Sequence, residues 1–179
     1  AGLRWRWILS LLGLAVIVAP GLWMVMHEYQ KNRIRTFLDP SSDPLGTGWN
    51  IIQSKIAVGS GGWAGKGWLH GTQSRLEYIP ERHTDFILAV FSEEFGLLGI
   101  GLLFLGYLFI IGRSLYIASM AKDTFSRLLA GSLAFTFSVY VLVNAGMVSG
   151  LLPVVGVPLP LVSYGGTSIV TLLAGFGIL

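Results

Sequence analysis

The stretch that decides the fold is Phe95–Gly112, which has the sequence FGLLGIGLLFLGYLFIIG and contains no charged side chain. As a helix, a stretch of this length extends for about 27 Å, close to the thickness of the hydrocarbon core of a bilayer. The whole chain is 53% hydrophobic and only 12% charged, which is about half of the charged fraction of a typical globular domain. The sequence therefore predicts an all-α membrane protein.

Other apolar stretches on both sides of this one predict a polytopic helical bundle with about four transmembrane helices in a single membrane domain. The predicted spans are residues 7–26, 85–112, 128–148 and 161–179, joined by a long loop 27–84, a short loop 113–127 and a segment 149–160. Basic residues precede the first span and lie in the short loop, and basic residues mark the cytoplasmic side of a membrane protein. The long loop and the segment 149–160 are therefore predicted to face outward.

The composition also excludes several classes of function. The chain has 12 Lys and Arg against 9 Asp and Glu, and no basic run is long enough to follow a nucleic-acid backbone. It has no cysteine, which excludes disulfides, thiolate catalysis and cysteine-based metal sites. Because it begins at Ala1 and ends at Leu179 within an apolar run, we expect a fragment of a longer protein.

An apolar segment rich in proline and glycine precedes the last predicted span. Residues 148–166 have the sequence VSGLLPVVGVPLPLVSYGG, and the three prolines prevent a regular helix. Irregular backbone next to a membrane is tolerated where protein buries it or where it lines a wet cavity. We predict a re-entrant or cavity-lining segment; the alternative is an apolar connecting loop. Ser163, Tyr164 and Thr167 lie where polar groups can meet a substrate.

A glycine-rich stretch in the outer loop, residues 59–68, contains Lys66. It does not match the phosphate-binding loop of nucleotide-binding proteins, since Ser60 and Gly67 stand where that motif needs Gly and Ser or Thr. Open backbone N–H groups and the Lys66 ammonium favour a looser contact with a diphosphate. The alternative is a flexible loop whose two tryptophans rest on the membrane interface.

Ionisable residues crowd the start of the second predicted span, in the order Glu81, Arg82, His83, Thr84 and Asp85. Such residues next to an apolar span are costly, so a functional role is the default hypothesis. A carboxylate at this boundary is well placed as a general base or a metal ligand. The alternative is that Thr84 or Asp85 simply caps the helix.

Three polar residues further along the spans also need partners. Helical geometry allows Glu93 to face the same cavity as Asp85, whereas Glu94 points nearly the opposite way and should pair with another helix or lie in the interface. Asn144, in the third span, is a candidate for a hydrogen bond between helices.

Three motifs together resemble the SEDS family, the polytopic glycosyltransferases of bacterial cell-wall synthesis. They are IQSKIAVGSGG at residues 52–62, PERHTDF at 80–86 and PLPLVSYGG at 158–166. Within the family the chain is similar to the RodA type, which acts in elongation, because Arg82 stands between Glu81 and His83. The sequence NAGMVSG at 144–150 points the same way.

The resemblance implies a chemistry, a cofactor and a partner. A family member has about ten membrane helices, of which this chain resembles the seventh to the tenth, so we expect the fragment alone to be inactive. The implied reaction is peptidoglycan polymerisation from lipid II, with Asp85 as the base or as the ligand of a divalent cation, Mg²⁺ or Mn²⁺. Lys66, Glu81, Arg82, His83, Ser163 and Tyr164 are the implied substrate-binding residues.

The resemblance also implies a class B penicillin-binding protein, a transpeptidase, as partner, and the bacterial cytoplasmic membrane as the location. Two other functions stay open at this point. The chain could belong to a lipid II flippase, since a cavity lined by Pro, Gly and carboxylates suits a transporter as well, or to a non-catalytic scaffold that recruits the transpeptidase.

Overall fold

In the computed structural model, residues 5–43, 46–72 and 84–178 are described, and every regular element in these ranges is a helix. The α-helices are α1 (Trp5–Val25), α2 (Glu28–Leu38), α3 (Thr47–Ser60), α4 (Ile87–Met120), α5 (Thr124–Ser149) and α6 (Gly166–Ile178), with a 3-10 helix at Pro40–Ser42. The predicted all-α class is confirmed.

Two of these helices, α4 and α5, are long and apolar enough to cross a membrane. A buried helix of a soluble protein also passes that test, but only 11% of the most apolar part of α4 is buried. Leu102, Leu105 and Phe109 on α4 are each at least 65% exposed. Such a surface is stable in hydrocarbon and unstable in water, so the helices have the surface of membrane helices.

The connection between α4 and α5 is shorter than the predicted loop 113–127. Helix α4 continues to Met120, and only residues 121–123 separate it from α5. Asp123 caps α5, because its side chain accepts a hydrogen bond of 2.8 Å from the Ser126 N–H. This bond and a second one from the Ser126 side chain lower the pKa of Asp123. The limits of the predicted spans within the membrane remain a prediction.

The α-helices α2 and α3 lie within the predicted outer loop 27–84, and sequence reasoning did not identify them. Helix α3 packs against both α4 and α5, and its Ile51 is 2% exposed. It joins a core formed with Phe86, Met147, Val148 and Leu159. The core therefore lies where α3, the start of α4, the end of α5 and the region before α6 meet.

Glycines interrupt the helices at two places that shape this region. Within α4, Gly96 has φ 64° and ψ −162°, a conformation open essentially to glycine alone. Helix α5 ends at Gly150, a left-handed cap with φ 72°. The chain then runs without regular structure through residues 151–165, here called the proline segment, and α6 begins at Gly166. The predicted irregular backbone is confirmed, and it continues five residues beyond the predicted start of the last span at 161.

Candidate functional site

The candidate site begins at residues 84–86, here called the head of α4. Phe86 is 1% exposed, and its carbonyl accepts a hydrogen bond of 3.0 Å from the Ala89 N–H. Thr84 and Asp85 precede the helix and are half-buried. Burial of Phe86 in the core therefore fixes the head of α4, with Asp85 at the edge of the buried region.

Two buried side chains connect the head of α4 to the proline segment. Asn144 donates from Nδ2 to the Asp85 carbonyl at 3.0 Å and to the Val157 carbonyl at 2.7 Å. The Ser163 hydroxyl donates to the Thr84 carbonyl at 2.6 Å and accepts from the Leu159 N–H at 2.7 Å. Asn144 and Ser163 thus hold the head of α4 and the proline segment together through backbone groups of each.

The Asp85 carboxylate lies against the backbone of the proline segment. Gly156 has φ 81°, and a Cβ built on it would stand 3.2 Å from Oδ2 of Asp85. A side chain at position 156 would therefore be strained by its backbone and would also crowd the carboxylate. Glycine at this position lets the backbone approach the Asp85 carboxylate closely.

Two further side chains bind three more carbonyls of the proline segment. Arg33, on α2, donates from Nη1 to the Val154 and Val155 carbonyls at 2.9 and 3.1 Å. The Tyr107 hydroxyl, on α4, donates to the Pro160 carbonyl at 2.7 Å. Irregular backbone in an apolar setting needs such partners, and these two residues supply them from two different helices.

Lys66 lies in a second cluster, together with Glu93 and Thr72. Its Nζ is 2.7 Å from Oε1 of Glu93, and Glu93 is 0% exposed. The same oxygen accepts hydrogen bonds of 2.8 Å from both the N–H and the hydroxyl of Thr72. The Glu93 carboxylate is therefore paired with a cation and hydrogen-bonded, as a buried carboxylate requires.

The glycine loop, residues 61–67, packs its backbone directly on the backbone of α4. The Lys66 and Gly67 N–H groups donate to the Glu93 and Glu94 carbonyls at 2.9 and 3.0 Å, while Leu97 and Leu98 donate back to Gly62 and Trp63. A Cβ on Gly61, Gly65 or Gly96 would collide with backbone atoms across this contact. The N–H groups of Lys66 and Gly67 thus bind α4, and a contact between the Lys66 ammonium and a diphosphate stays a prediction.

The other residues predicted from sequence are distributed as follows. Ser163 contacts the head of α4, where its hydroxyl donates to the Thr84 carbonyl and accepts from the Leu159 N–H. Tyr164 is 82% exposed. Glu81, Arg82 and His83 lie outside the described residues. Substrate binding by these five residues remains a prediction.

Sequence reasoning did not find the contacts that surround Asp85. Asn144 was expected to bond to another helix, but its partners are carbonyls of irregular backbone. An isolated Asn in an apolar span does signal a buried polar contact. Nothing in the sequence marks Arg33 or Gly156, because their roles depend on residues more than 70 positions away.

The described residues contain no group of three or more His, Cys, Asp or Glu side chains that could hold a metal ion. Asp85 offers one carboxylate. Mg²⁺ is commonly bound through one or two carboxylates together with substrate phosphates and water. The donor set therefore fits a cation that a phosphorylated substrate shares, and does not fit a cation held by these protein residues alone.

A cavity of about 440 Å³ lies between α5 and α6. Phe137, Tyr140, Pro158, Thr167 and Leu172 are among its lining residues, and Asp85 is not. The wall is mainly apolar with several hydroxyl groups, as is usual for small-molecule sites. The cavity and the Asp85 carboxylate are separate features, although the proline segment and α5 take part in both regions.

Comparison with known proteins identifies several relatives. A model of the FtsW/RodA/SpoVE family, described as cell cycle protein, matches residues 1–179. The peptidoglycan glycosyltransferase MrdB of Escherichia coli K12 is 60% identical over 183 residues, covering 99% of this chain and 48% of the relative. The peptidoglycan glycosyltransferase RodA of Treponema pallidum is 43% identical over 155 residues, covering 87% of this chain and 36% of the relative.

A solved structure is also similar. It is a chain from a study of how a peptidoglycan synthase complex coordinates polymerization and crosslinking, with a TM-score of 0.78 and 31% identity. The match covers 97% of this chain and 47% of that one. This chain therefore spans about half of the length of the relatives that it matches.

Proposed function

Because this chain belongs to the FtsW/RodA/SpoVE family, we propose that the protein is a peptidoglycan glycosyltransferase of the RodA type, which acts in cell elongation and rod-shape maintenance. The observation that carries the proposal is the meeting of two distant motifs around one carboxylate. The head of α4, from the motif at 80–86, is held by Ser163, from the motif at 158–166. Asp85 lies at this junction.

The proposed substrate is lipid II, a disaccharide-peptide joined to undecaprenyl diphosphate. The 4-hydroxyl oxygen of the acceptor sugar forms a bond to the anomeric carbon of the donor sugar, with inversion. The bond from that carbon to the diphosphate breaks, and undecaprenyl diphosphate leaves. Asp85 takes the proton of the acceptor hydroxyl, a transfer worth roughly 10²–10⁴-fold in rate, or binds the cation.

A divalent cation, Mg²⁺ or Mn²⁺, suits this reaction because the leaving group carries the negative charge of a diphosphate. Asp85 would hold it together with oxygens of the substrate, and the cation would stabilise the charge on the leaving diphosphate. Lys66, Arg82 and Tyr164 are the proposed contacts to the substrate, with Glu81 and His83 close to Asp85 in sequence. The Lys66 side chain is 31% exposed, so part of it is accessible from solvent.

We propose that the protein is a multi-pass protein of the bacterial cytoplasmic membrane, with four spans in this chain, and that a class B penicillin-binding protein is its partner. The apolar exposed surfaces of α4 and α5 support the membrane location. A relative occurs in a peptidoglycan synthase complex, which supports the partner. A crosslinking partner is also chemically expected, since a polymerised glycan strand needs a transpeptidase.

The test is polymerisation by the full-length protein, purified with its transpeptidase and supplied with labelled lipid II and Mn²⁺ in detergent. We expect long glycan strands from the wild type, and a loss of at least about 10²-fold with Asp85→Asn, which keeps size but removes the base. Chelation of the cation should stop the wild type as well.

Three other results would count against the proposal. Equal polymerisation by both proteins would remove Asp85 from the mechanism. Transport of lipid II across vesicles without polymerisation would support a flippase. Recruitment of the transpeptidase with neither activity would support a scaffold.

A further inference from the structure

Asn144 makes an unusual pair of contacts. Its side chain is 0% exposed, and a single nitrogen, Nδ2, donates to the carbonyls of Asp85 and Val157 at 3.0 and 2.7 Å. The two carbonyls belong to chain segments that are far apart in sequence. One planar group thus connects the backbone of Asp85 to the backbone next to Gly156.

The orientation of the Asn144 amide follows from its partners. If the amide were reversed, Oδ1 would face two carbonyl oxygens, and three acceptors would repel one another. With Nδ2 on the carbonyls, Oδ1 is buried and has no hydrogen-bond partner among the described residues. An unpaired buried acceptor lowers stability, so stability alone does not account for an amide here.

Only a few side chains can make this connection. A carboxamide nitrogen carries two hydrogens that diverge in one plane, and it is uncharged. Serine and threonine have a single donor, aspartate has none when ionised, and lysine or arginine would bring a charge into the core. The sequence requirement at position 144 is therefore narrow for a chemical reason.

We propose that Asn144 is a positioning residue that fixes the distance between the Asp85 carboxylate and the proline segment at Gly156. The inference rests on the proposed function of Asp85. Oδ2 of Asp85 stands 3.2 Å from the place where a Gly156 Cβ would be, so the carboxylate and residue 156 have little freedom relative to each other. Asn144 binds the carbonyl on each side of this approach, and it touches no group that would react.

Ser163 supports the same arrangement one residue away, since it holds Thr84 and Leu159. Loss of Asn144 should therefore shift Asp85 without releasing the proline segment. A displacement of about 1 Å in a reacting group can lower a rate by about 10²-fold. The expected effect is a change in kcat, with substrate affinity preserved.

The experiment compares Asn144→Asp and Asn144→Ser in the full-length protein, copurified with its transpeptidase. Asn144→Asp keeps the size of the side chain and removes both donors, and Asn144→Ser keeps one donor. Glycan synthesis is measured against lipid II concentration and normalised to folded protein. We expect kcat to fall by about 30- to 100-fold, with KM within about twofold of the wild type.

The matched control is Val141→Ala, one turn earlier on α5 and 4% exposed. It opens a small cavity in the same core but removes no hydrogen bond, so it should lower the thermal midpoint while kcat per folded molecule stays within about twofold. If Val141→Ala lowers kcat as much as the Asn144 variants do, Asn144 acts through stability and the inference is overturned. An unchanged kcat in the Asn144 variants, or a change in KM alone, also overturns it.

A second variant approaches the same contact from the other side. Gly156→Ala places a methyl group against Oδ2 of Asp85, so it should also lower kcat. Combined with Asn144→Ser, its effect should be less than the product of the single effects, because both act on the position of one carboxylate. Multiplicative effects would overturn the inference, and so would a Gly156→Ala protein with normal kcat, even if the Asn144 variants failed to fold.

The result with Asp85→Asn separates the inference from the proposed function. If Asp85→Asn polymerises normally, the proposed function of Asp85 fails, and the inference fails with it. If Asp85→Asn is inactive and the Asn144 variants have normal kcat, only the inference fails.

Discussion

The first part of α4 and the residues just before it take part in two contacts that are built in different ways. Around Gly96, backbone meets backbone: four hydrogen bonds join residues 62–67 to residues 93–98. At the head of α4, side chains of Asn144 and Ser163 reach backbone carbonyls. The first contact needs the absence of side chains, and the second needs particular side chains.

This difference teaches how glycines in two motifs serve different purposes. The glycines of residues 61–67 allow close packing and fix the helix break at Gly96, and the N–H groups of Lys66 and Gly67 are used in that packing. The glycine of the proline segment, Gly156, instead leaves room beside a carboxylate. We therefore expect changes around Gly96 to affect stability first, and changes at the head of α4 to affect catalysis first.

The largest loss of stability should come from Gly96→Ala. The backbone conformation of Gly96 costs about 1–3 kcal/mol for another residue, and the collision with the glycine loop adds about 1–3 kcal/mol. We expect a total loss of about 4 kcal/mol, measured as the thermal unfolding of the full-length protein in detergent.

Gly101→Ala is the control for this prediction, because a Cβ on Gly101 meets nothing within 4 Å. Alanine in an open helical position is favoured over glycine by about 0.5–1 kcal/mol. If Gly96→Ala unfolds at the same temperature as Gly101→Ala, the backbone contact does not determine stability, and the comparison fails.

A smaller loss, about 3 kcal/mol, should follow from Lys66→Met. The change removes the Lys66 ammonium from the buried Glu93 carboxylate, and breaking a buried ion pair is strongly destabilising, although partial exposure of Lys66 lowers the effect. Adding Glu93→Gln should restore most of the stability, because a neutral amide oxygen can still accept from Thr72. Lys122→Met, in the exposed connection before α5, serves as the control and should change little.

The same double variant tests the predicted contact between Lys66 and a diphosphate. If Lys66 only pairs with Glu93, the double variant Lys66→Met with Glu93→Gln should have the same KM for lipid II as the wild type. If Lys66 also contacts the substrate, KM should remain raised after stability has recovered. The glycine loop would then contribute to substrate binding as well as to stability.

The smallest effect should come from Tyr107→Phe, which removes one hydroxyl and leaves the Pro160 carbonyl without its donor. An unsatisfied buried carbonyl costs about 1–3 kcal/mol, and we expect about 1 kcal/mol in thermal unfolding. Tyr116→Phe, on the exposed side of α4, is the control. A loss as large as that of Gly96→Ala would show that the contact between Tyr107 and the proline segment contributes as much to stability as the contact between the glycine loop and α4.

Much of the fold follows from the sequence because local composition decides it. The uncharged stretch Phe95–Gly112 specified an apolar helix whatever its neighbours were. The three prolines predicted irregular backbone at 148–166, and the structure has it at 151–165. The helices α2 and α3 were missed, because their polar and mixed sequences depend on tertiary packing for helical structure: α3 packs on α4 and α5, and α2 packs on α3 and the 3-10 helix. The end of α4 at Met120 was also missed, since apolar residues continue past Arg113 without a helix-stop signal.

One part of the candidate site could likewise be predicted from the sequence, and another part could not. Asp85 could be proposed as a candidate from the sequence because a carboxylate at the edge of an apolar span is costly wherever it is found. The contacts that define its surroundings could not, because Arg33, Asn144 and Gly156 come from three separate regions. Their hydrogen bonds depend on the path of irregular backbone, which no local pattern encodes.

The sequence by itself determined the helical class, the apolar surfaces and the position of Asp85, since each depends on the solvation of nearby residues. Only the tertiary structure decided that the glycine loop binds α4 through its backbone and that Lys66 forms an ion pair with Glu93. It alone also brought Asn144 to the carbonyl of Asp85. The physical reason is that hydrophobic burial acts on composition, whereas hydrogen bonds and close backbone contacts require atoms at fixed positions in space.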